Sequence, residues 1–331
     1  MKVAINGFGR IGRMILRAYI EKQPNDIEII AINDLQDIDT SIHLLKYDSV
    51  HGRLNATVEK SSDSSIKING NEIKYISERN PENLPWRNLN VDLVMECTGV
   101  FKTREACTKH LNAGASKVLL SCPGNDLDKT IVFGVNDHTL TPDDILVSNG
   151  SCTTNCLAPV VNVLNSEFGI SGGFVSTIHA YTGDQRLVDT SHKDLRRARA
   201  AASNIIPTST GAAEAIANIF PELTGKLSGI AYRVPTQNVS LIECTFVLNA
   251  KTTATDINQK IKEWATTKMP EVLGFTDEQL VSCDFCHSSF SSIVDLSLTK
   301  VIENIAHITS WYDNEWGFSC RMLDTAKRMF S

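Results

Sequence analysis

The sequence predicts an α/β protein that combines a Rossmann-type, doubly wound parallel sheet with an α+β domain containing a mixed or antiparallel sheet. Short β-branched runs alternate with helical stretches over residues 1–150, and a glycine-rich turn follows the first run. After Asn149 the pattern changes to strands that alternate or pair through loops. The first pattern is typical of a parallel sheet covered by helices, and the second of an antiparallel or mixed sheet.

Two domains follow from this change of pattern. Residues 1–150 are expected to form a dinucleotide-binding domain, completed by a C-terminal helix over residues 314–331. Residues 151–313 are expected to form the catalytic domain.

The individual strands are predicted from β-branched runs. In the first domain we expect strands at residues 3–6, 27–33, 93–98, 118–121, 131–135 and 145–148. In the second domain we expect strands at residues 174–179, 230–234, 240–249 and 292–298. Asn69-Gly70, between two apolar stretches, predicts a hairpin that we interpret as a surface insertion.

Composition excludes several classes of protein. With 42% hydrophobic and 21% charged residues, the chain of 331 residues has the balance of a globular protein with a large core. The net charge of -6 provides no basic field for nucleic acid, and no apolar run is long enough to predict a membrane span. Nine cysteines in so long a chain predict reduced thiols and a cytoplasmic location. The Cys283/Cys286 pair lacks a second pair at zinc-ligand spacing, so no metal site is predicted.

A glycine motif predicts the cofactor. Gly7-Phe8-Gly9-Arg10-Ile11-Gly12 follows the first strand and opens a predicted helix. Glycines at these positions allow a tight turn and bring a pyrophosphate close to a helix N-terminus. Asp34 lies 22 positions after Gly12, where its carboxylate can accept hydrogen bonds from the ribose hydroxyls of NAD and repel a 2′-phosphate. Asp34 alone would also fit a turn at a strand end, so its assignment depends on the glycines.

A second motif surrounds a cysteine. Ser148-Asn149-Gly150-Ser151-Cys152-Thr153-Thr154-Asn155-Cys156 joins a predicted strand to a predicted helix. Cys152 is therefore expected at or near a helix N-terminus, where the helix dipole and free amides stabilise a thiolate. Taken by itself, a cysteine in such a turn is more often inert packing.

The neighbouring residues resolve this ambiguity. S-N-G-S-C-T-T-N-C-L-A-P, from Ser148 to Pro159, resembles the active-site segment of the glyceraldehyde-3-phosphate dehydrogenase family, with Gly150 where Ala is usual. The resemblance extends over essentially the whole chain and includes residues 6–13, 192–202, 204–213, 233–235 and 311–317. It implies a glycolytic, phosphorylating, NAD-dependent aldehyde dehydrogenase that forms a homotetramer.

The resemblance also implies roles for individual residues. Cys152 is the nucleophile, and its attack on an aldehyde gives a hemithioacetal that loses hydride to become a thioester. His179 lowers the thiol pKa as imidazolium and accepts the hemithioacetal proton as imidazole. Inorganic phosphate then takes the acyl group.

Two anion sites are needed, one for the phosphate of the substrate and one for the attacking phosphate. The resemblance assigns Thr182 and Arg233 to the first. It assigns the second to Ser151, Thr153, Arg197, Thr210 and Gly211. The cofactor-binding residues that it implies are Gly7, Gly9, Arg10, Ile11, Gly12, Asp34, Arg79, Ser121 and Asn314, the last of which bonds the nicotinamide carboxamide.

Other functions are open from sequence alone. Erythrose-4-phosphate dehydrogenase shares the cysteine and histidine but hydrolyses its acyl-enzyme, and its pattern differs at residues 179–182 and 206–211. A nucleotide-binding scaffold without turnover is a second alternative, which the presence of Cys152, His179 and Arg233 disfavours.

The sequence also leaves open whether NADP can replace NAD as the cofactor. Thr190-Ser191 stands where NAD-specific relatives typically have Leu-Pro, in a loop that, by resemblance, crosses between subunits near the cofactor. Secondary use of NADP is therefore a further hypothesis.

Overall fold

The computed structural model describes all 331 residues, which divide into two compact units. The first unit comprises residues 1–131, 137–150 and 319–331, and the second comprises residues 132–136 and 151–318. None of the eight helices combines the length and apolar character that crossing a membrane requires.

The first unit is built on a nine-stranded sheet. Its elements are β1 (Lys2–Asn6), α1 (Arg10–Lys22), β2 (Glu28–Asn33), α2 (Ile38–Lys46), β3 (Tyr47–Asp48), β4 (Gly52–Arg53), β5 (Val58–Ser62), β6 (Ser65–Ile68), β7 (Asn71–Ile76), α3 (Trp86–Leu89), β8 (Leu93–Glu96), α4 (Arg104–Asn112), β9 (Lys117–Leu120), β10 (Lys129–Thr130) and β11 (Leu146–Ser148). The strand order is β10-β11-β9-β8-β1-β2-β7-β6-β5. Pairing is parallel from β10 to β7 and antiparallel from β7 to β5. Strand order runs outward in both directions from β1, which confirms the doubly wound sheet.

Two details of the predicted dinucleotide-binding domain, residues 1–150, differ from the prediction. Residues 131–135 do not form a strand, because the Asn136 side chain accepts from Val132 N and the backbone turns, with Val135 N and Asn136 N both donating to Val132 O. The Asn69-Gly70 hairpin is present, with φ values of 48° and 90° that suit a two-residue turn. It is no surface insertion, however, since β7 pairs with β2 and extends the sheet.

The second unit is built on a mixed sheet, as predicted. Its elements are α5 (Cys152–Phe168), β12 (Ile170–Ala180), β13 (Ile206–Thr208), α6 (Ala212–Ile216), β14 (Leu227–Val234), β15 (Ser240–Leu248), α7 (Ala254–Thr267), β16 (Leu273–Thr276), β17 (Ser292–Asp295), β18 (Lys300–Ile302) and β19 (Ile305–Tyr312). They are followed by α8 (Trp316–Arg328), which belongs to the first unit from residue 319 onward. The strand order is β13-β14-β12-β15-β19-β17-β16, with β18 beside β19. The buried face of this sheet packs on α5 and α7, where Val160, Leu164 and Ile261 share one core with Phe246 and Ile308.

Short polar side chains decide where several elements begin and end. Ser151 and Thr253 cap α5 and α7, each accepting a backbone N–H of the first turn. The predicted strand at residues 292–298 ends at Asp295, whose carboxylate accepts from Ser297 N and turns the chain. Asp313 accepts from Trp316 N, which starts α8 two residues later than predicted.

Strand pairing in the second unit places two of the predicted site residues side by side. His179 on β12 is the direct partner of Arg233 on the parallel strand β14. Both lie near the ends of their strands, because β12 ends at Ala180 and β14 at Val234.

Candidate active site

The glycine motif of the first unit has little room for side chains. Gly7 has a φ of 93°, and a Cβ there would lie 2.6 Å from Thr98 N. A Cβ on Gly12 would lie 2.2 Å from Gly7 O. Gly9, which caps α1, has open space around it instead, so its backbone is accessible to a ligand. The loop is shaped for close approach of a phosphate group.

A cavity of about 350 Å³ adjoins this loop. Of the predicted cofactor residues, Gly7, Gly9, Asp34 and Arg79 line it. The other lining residues are Asn6, Asn33, Leu35, Glu78, Cys97, Thr98, Val100 and Phe101.

The other predicted cofactor residues of the first unit do not line this cavity. Arg10 is paired with the buried carboxylate of Asp48, and Ser121 directly follows β9. Ile11 and Gly12 lie in the first turn of α1.

The carboxylate of Asp34 is held by the backbone. It accepts hydrogen bonds from Phe8 N at 2.5 Å and from Gln36 N at 2.8 Å. Asp34 is therefore fixed beside the glycine loop and presents negative charge to the cavity that it lines.

Cys152, in the second unit, is the first residue of α5. Ser151 Oγ accepts from Thr154 N at 3.0 Å and so caps the helix. The sulfur of Cys152 lies 3.5 Å from His179 Nε2. The predicted nucleophile and base are therefore adjacent, with the sulfur near the positive end of a helix dipole.

The hydrogen bonds of His179 define its tautomer. Nδ1 lies 2.6 Å from the carbonyl oxygen of Ala180. A carbonyl oxygen only accepts, so we assign the hydrogen to Nδ1 on this shorter contact, although the donor Arg233 Nη1 also lies 3.0 Å from Nδ1. With this assignment, Nε2 is the free base that faces Cys152. The Arg233 guanidinium donates to the same carbonyl oxygen at 3.0 Å.

Burial affects the protonation of both groups. It raises the pKa of the Cys152 thiol, and the charge of Arg233 offsets part of this rise. Burial, together with the charge of Arg233, lowers the pKa of His179 to about 3. Proton transfer from Sγ to Nε2 leaves the pair without net charge, and burial disfavours such a pair less than either isolated ion. The two pKa shifts favour the neutral thiol and the neutral imidazole, so a thiolate and an imidazolium would form only together, by this one transfer.

Arg233 and Thr182 form a cluster with the histidine. Arg233 Nη1 lies 3.0 Å from His179 Nδ1 and 3.5 Å from Thr182 Oγ1, and the Nε of Arg233 is buried without a hydrogen-bond partner. Thr182 and Arg233, the residues predicted to hold the substrate phosphate, are thus together.

Arg197 has a different environment. It donates to Thr208 Oγ1 at 2.9 Å and to the carboxylate of Asp184 at 2.5 Å. Its positive charge contributes to the lowered pKa of His179, which places it within electrostatic reach of the base.

The remaining predicted residues are less directly connected to the thiol. Thr210 Oγ1 accepts from Ala212 N at 3.2 Å and Gly211 starts α6, but no hydrogen bond joins either residue to Cys152 or His179. Thr153 bonds Tyr312. Asn314 is buried and accepts from Ser240 Oγ.

Two contributing residues had not been singled out from the sequence. The Tyr312 hydroxyl bonds both Thr153 Oγ1 and Thr177 Oγ1 at 2.9 Å, and its ring contacts His179 edge to face. Asp184 pairs with Arg197. Tyr312 lies in an aromatic stretch that reads as core, and only its distance of two positions from Asn314 hinted at the site.

Comparison with known proteins agrees with this geometry. A family model described as "Glyceraldehyde 3-phosphate dehydrogenase, NAD binding domain" matches residues 1–104, and one described as "Glyceraldehyde 3-phosphate dehydrogenase, C-terminal domain" matches residues 151–314. The glyceraldehyde-3-phosphate dehydrogenase of Cereibacter sphaeroides is 53% identical over 330 residues, which cover 99% of this chain and 98% of that protein.

Two further relatives are similar over nearly the whole chain. The glyceraldehyde-3-phosphate dehydrogenase of Zymomonas mobilis is 52% identical over 332 residues, covering 99% of this chain and 98% of that protein. The chloroplastic glyceraldehyde-3-phosphate dehydrogenase A of Zea mays is 51% identical over 328 residues, covering 98% of this chain and 81% of that protein.

Proposed function

The chain belongs to the glyceraldehyde 3-phosphate dehydrogenase family, and from this premise we propose that it oxidises D-glyceraldehyde 3-phosphate with NAD and inorganic phosphate to 1,3-bisphosphoglycerate. The adjacent Cys152 and His179 side chains carry the proposal. A thiol at a helix N-terminus, facing the free nitrogen of an imidazole whose other nitrogen is bonded to a carbonyl, is suited to nucleophilic catalysis on an aldehyde.

His179 acts as the base. Nε2 takes the proton of Sγ as the sulfur adds to the aldehyde carbon and returns it to the former carbonyl oxygen, giving the hydroxyl of a hemithioacetal on Cys152 and a free Nε2. It later takes the hydroxyl proton of the hemithioacetal as the thioester forms. The Ala180 carbonyl oxygen stabilises the Nδ1–H of the imidazolium at each stage.

The cavity of the first unit fits NAD. Gly9 leaves room for approach to its backbone, and Asp34 offers acceptors for ribose hydroxyls. Arg79, Arg10, Ile11 and Ser121 are proposed to contribute along the cofactor, and Asn314 to hold the nicotinamide carboxamide. When bound, NAD accepts the hydride. Secondary use of NADP is part of the proposal, because Thr190-Ser191 replaces Leu-Pro.

Two phosphate groups require two sets of donors. We assign the substrate phosphate to Thr182 and Arg233, which are already adjacent. We assign the attacking phosphate to Ser151, Thr153, Arg197, Thr210 and Gly211. Arg197 supplies a guanidinium, whose planar donors suit a phosphate, and in the structure these donors bond Thr208 and Asp184.

The outer face of the mixed sheet supports self-association. Phe174, Ile230, Val247 and Ile305 lie on this face by register, and Phe174 is 72% exposed. Apolar side chains on four strands form a patch suited to another copy of the chain, so we propose a homotetramer. A cytoplasmic location is proposed because the reaction requires a reduced Cys152.

A phosphate-dependence assay tests the activity. NADH formation from glyceraldehyde 3-phosphate should require inorganic phosphate and be accompanied by an acyl phosphate product. Turnover that is indifferent to phosphate would contradict the proposal and favour hydrolysis, as in erythrose-4-phosphate dehydrogenase.

A further inference from the structure

A buried hydroxyl links the base to Asn314. Ser240 is 2% exposed, and its Oγ accepts from Ala180 N at 3.0 Å and donates to Asn314 Oδ1 at 2.9 Å. The carbonyl oxygen of Ala180 in turn accepts from His179 Nδ1. Ala180 therefore contacts the histidine through its C=O and the serine through its N–H.

The Ser240 hydroxyl acts as both acceptor and donor along this chain of hydrogen bonds. A backbone N–H only donates, so Ser240 Oγ is the acceptor toward Ala180, and its single hydrogen is left for Asn314. In the structure this hydrogen is directed at Asn314 Oδ1, which leaves Nδ2 on the opposite edge of the amide. Ser240 thus fixes the rotation of the Asn314 amide as well as the position of Ala180.

The backbone before Ser240 is held in an unfavourable conformation. Val239 has a φ of 67°, in the left-handed region that β-branched residues avoid. On one side of it, Asn238 Nδ2 donates to Asp313 Oδ2 at 2.9 Å, and on the other side Ser240 bonds Asn314. Asn238 therefore bonds Asp313, and Ser240 bonds Asn314. Strained backbone of this kind persists where surrounding contacts hold it, and it is concentrated at functional sites.

We propose that Ser240 is a positioning residue that couples the orientation of the Asn314 amide to that of the His179 imidazole through the backbone of Ala180. The inference rests on the proposed function, because the role of Asn314 toward the nicotinamide is assigned there. Ser240 touches no reacting atom and acts only through its two hydrogen bonds.

Ser240→Ala tests the coupling through two independent readouts. The first is steady-state kinetics, in which we expect the KM for NAD to rise several-fold and kcat to fall about tenfold or more. The second is the pH dependence of Cys152 alkylation by iodoacetamide without NAD, quantified by peptide mass spectrometry. We expect this profile to shift from that of the wild type, because the anchor of His179 is loosened. Changes in both readouts support the coupling, whereas a change in only one or in neither contradicts it.

Ser310→Ala is the matched control. Ser310 is also a fully buried serine, on the strand that pairs with β15, and its hydroxyl bonds Ser292. We expect its kinetic constants and alkylation profile to match the wild type within about twofold. If Ser240→Ala fails to fold, Ser240→Thr keeps the hydroxyl: wild-type values in both readouts support the proposal, and loss in a folded variant contradicts it. Failure of the wild type to reduce NAD would contradict the proposed function, while the alkylation comparison would still decide whether Ser240 acts on His179.

Discussion

The sulfur of Cys152 lies 3.5 Å from His179 Nε2, and the opposite ring nitrogen of that histidine is bonded to a backbone carbonyl oxygen. The arrangement turns Nε2, the nitrogen assigned as the base, toward the thiol before any substrate binds. It also distinguishes Cys152 from the other thiols of the chain. None of those thiols combines a position at a helix N-terminus with a neighbouring imidazole in the structure.

Cys152→Ser should reduce aldehyde oxidation by several orders of magnitude, because a hydroxyl is scarcely ionised where a thiol can transfer its proton. Cys156→Ser is the control, four residues along the same helix. Cys156 is fully buried beside Ser292, and burial raises its pKa to about 12. Peptide mapping after iodoacetate treatment checks the assignment, and preferential labelling of Cys156 with activity intact would show that the nucleophile is wrong.

His179→Asn should slow oxidation by about 100-fold or more, since it removes the base. Burial already raises the pKa of the Cys152 thiol, so loss of its proton acceptor should move alkylation of Cys152 to higher pH. Alkylation rates measured across pH test this direction, with His138→Asn, at an exposed histidine, as control. An unchanged profile would exclude the thiolate–imidazolium pair.

Arg197→Ala should raise the KM for inorganic phosphate, whereas Arg233→Ala should mainly raise the KM for the aldehyde. We expect Arg233→Ala to lower kcat as well, because its guanidinium donates to the carbonyl oxygen that holds His179. Arg199→Ala provides the control, since Arg199 is exposed and paired only with Asp189. Identical phenotypes for Arg197 and Arg233 would argue against two separate anion sites.

Asp48→Asn should destabilise the first unit in a pH-dependent manner. Burial tends to raise the pKa of Asp48, but hydrogen bonds from His51 N, Arg10 and Val50 N more than offset it and lower the pKa to about 2. A folded-state pKa below the usual 3.8 stabilises the folded protein above pH 4, and this stabilisation is lost as the pH falls toward 2. The shift corresponds to roughly 2 kcal/mol at pH 7.

Denaturant unfolding at several pH values measures this effect. The difference in unfolding free energy between wild type and Asp48→Asn should shrink between pH 4 and pH 2. Asp63→Asn, at a carboxylate 99% exposed, should leave the unfolding free energy unchanged at every pH. A difference that stays constant with pH would contradict the role of the carboxylate charge.

Local patterns predicted much of the first unit. In the glycine motif, the residues that constrain one another are close in sequence. A Cβ on Gly12 would lie 2.2 Å from Gly7 O, so position 12 requires glycine. Residues 131–135 were misassigned because β-branched composition cannot reveal that the Asn136 side chain takes the Val132 N–H. The hairpin at Asn69-Gly70 was predicted from its turn, but its place in the sheet depends on pairing with β2, far along the chain.

The candidate site was harder to predict where partners are distant in sequence. Tyr312 bonds Thr153 and Thr177, which lie 159 and 135 positions away. The contact of Ser240 with Asn314 likewise spans 74 positions. Such contacts depend on the pairing of β12, β15 and β19 in the sheet. No local sequence pattern predicts them.

NAD should be preferred over NADP, because Asp34 lines the cofactor cavity with its carboxylate fixed by two backbone amides. A 2′-phosphate facing this carboxylate would cost about 1–4 kcal/mol, and turning the carboxylate away would break the bonds to Phe8 N and Gln36 N. One hydrogen bond from Ser191 contributes only about 1 kcal/mol, a factor of roughly five in kcat/KM. Ser191→Pro should therefore lower kcat/KM for NADP about fivefold and leave the value for NAD unchanged. The test is kcat/KM measured with both cofactors in the wild type and in Ser191→Pro. A wild-type value for NADP equal to that for NAD would overturn the role of Asp34. An unchanged NADP value in Ser191→Pro would show that Ser191 does not contribute to cofactor choice.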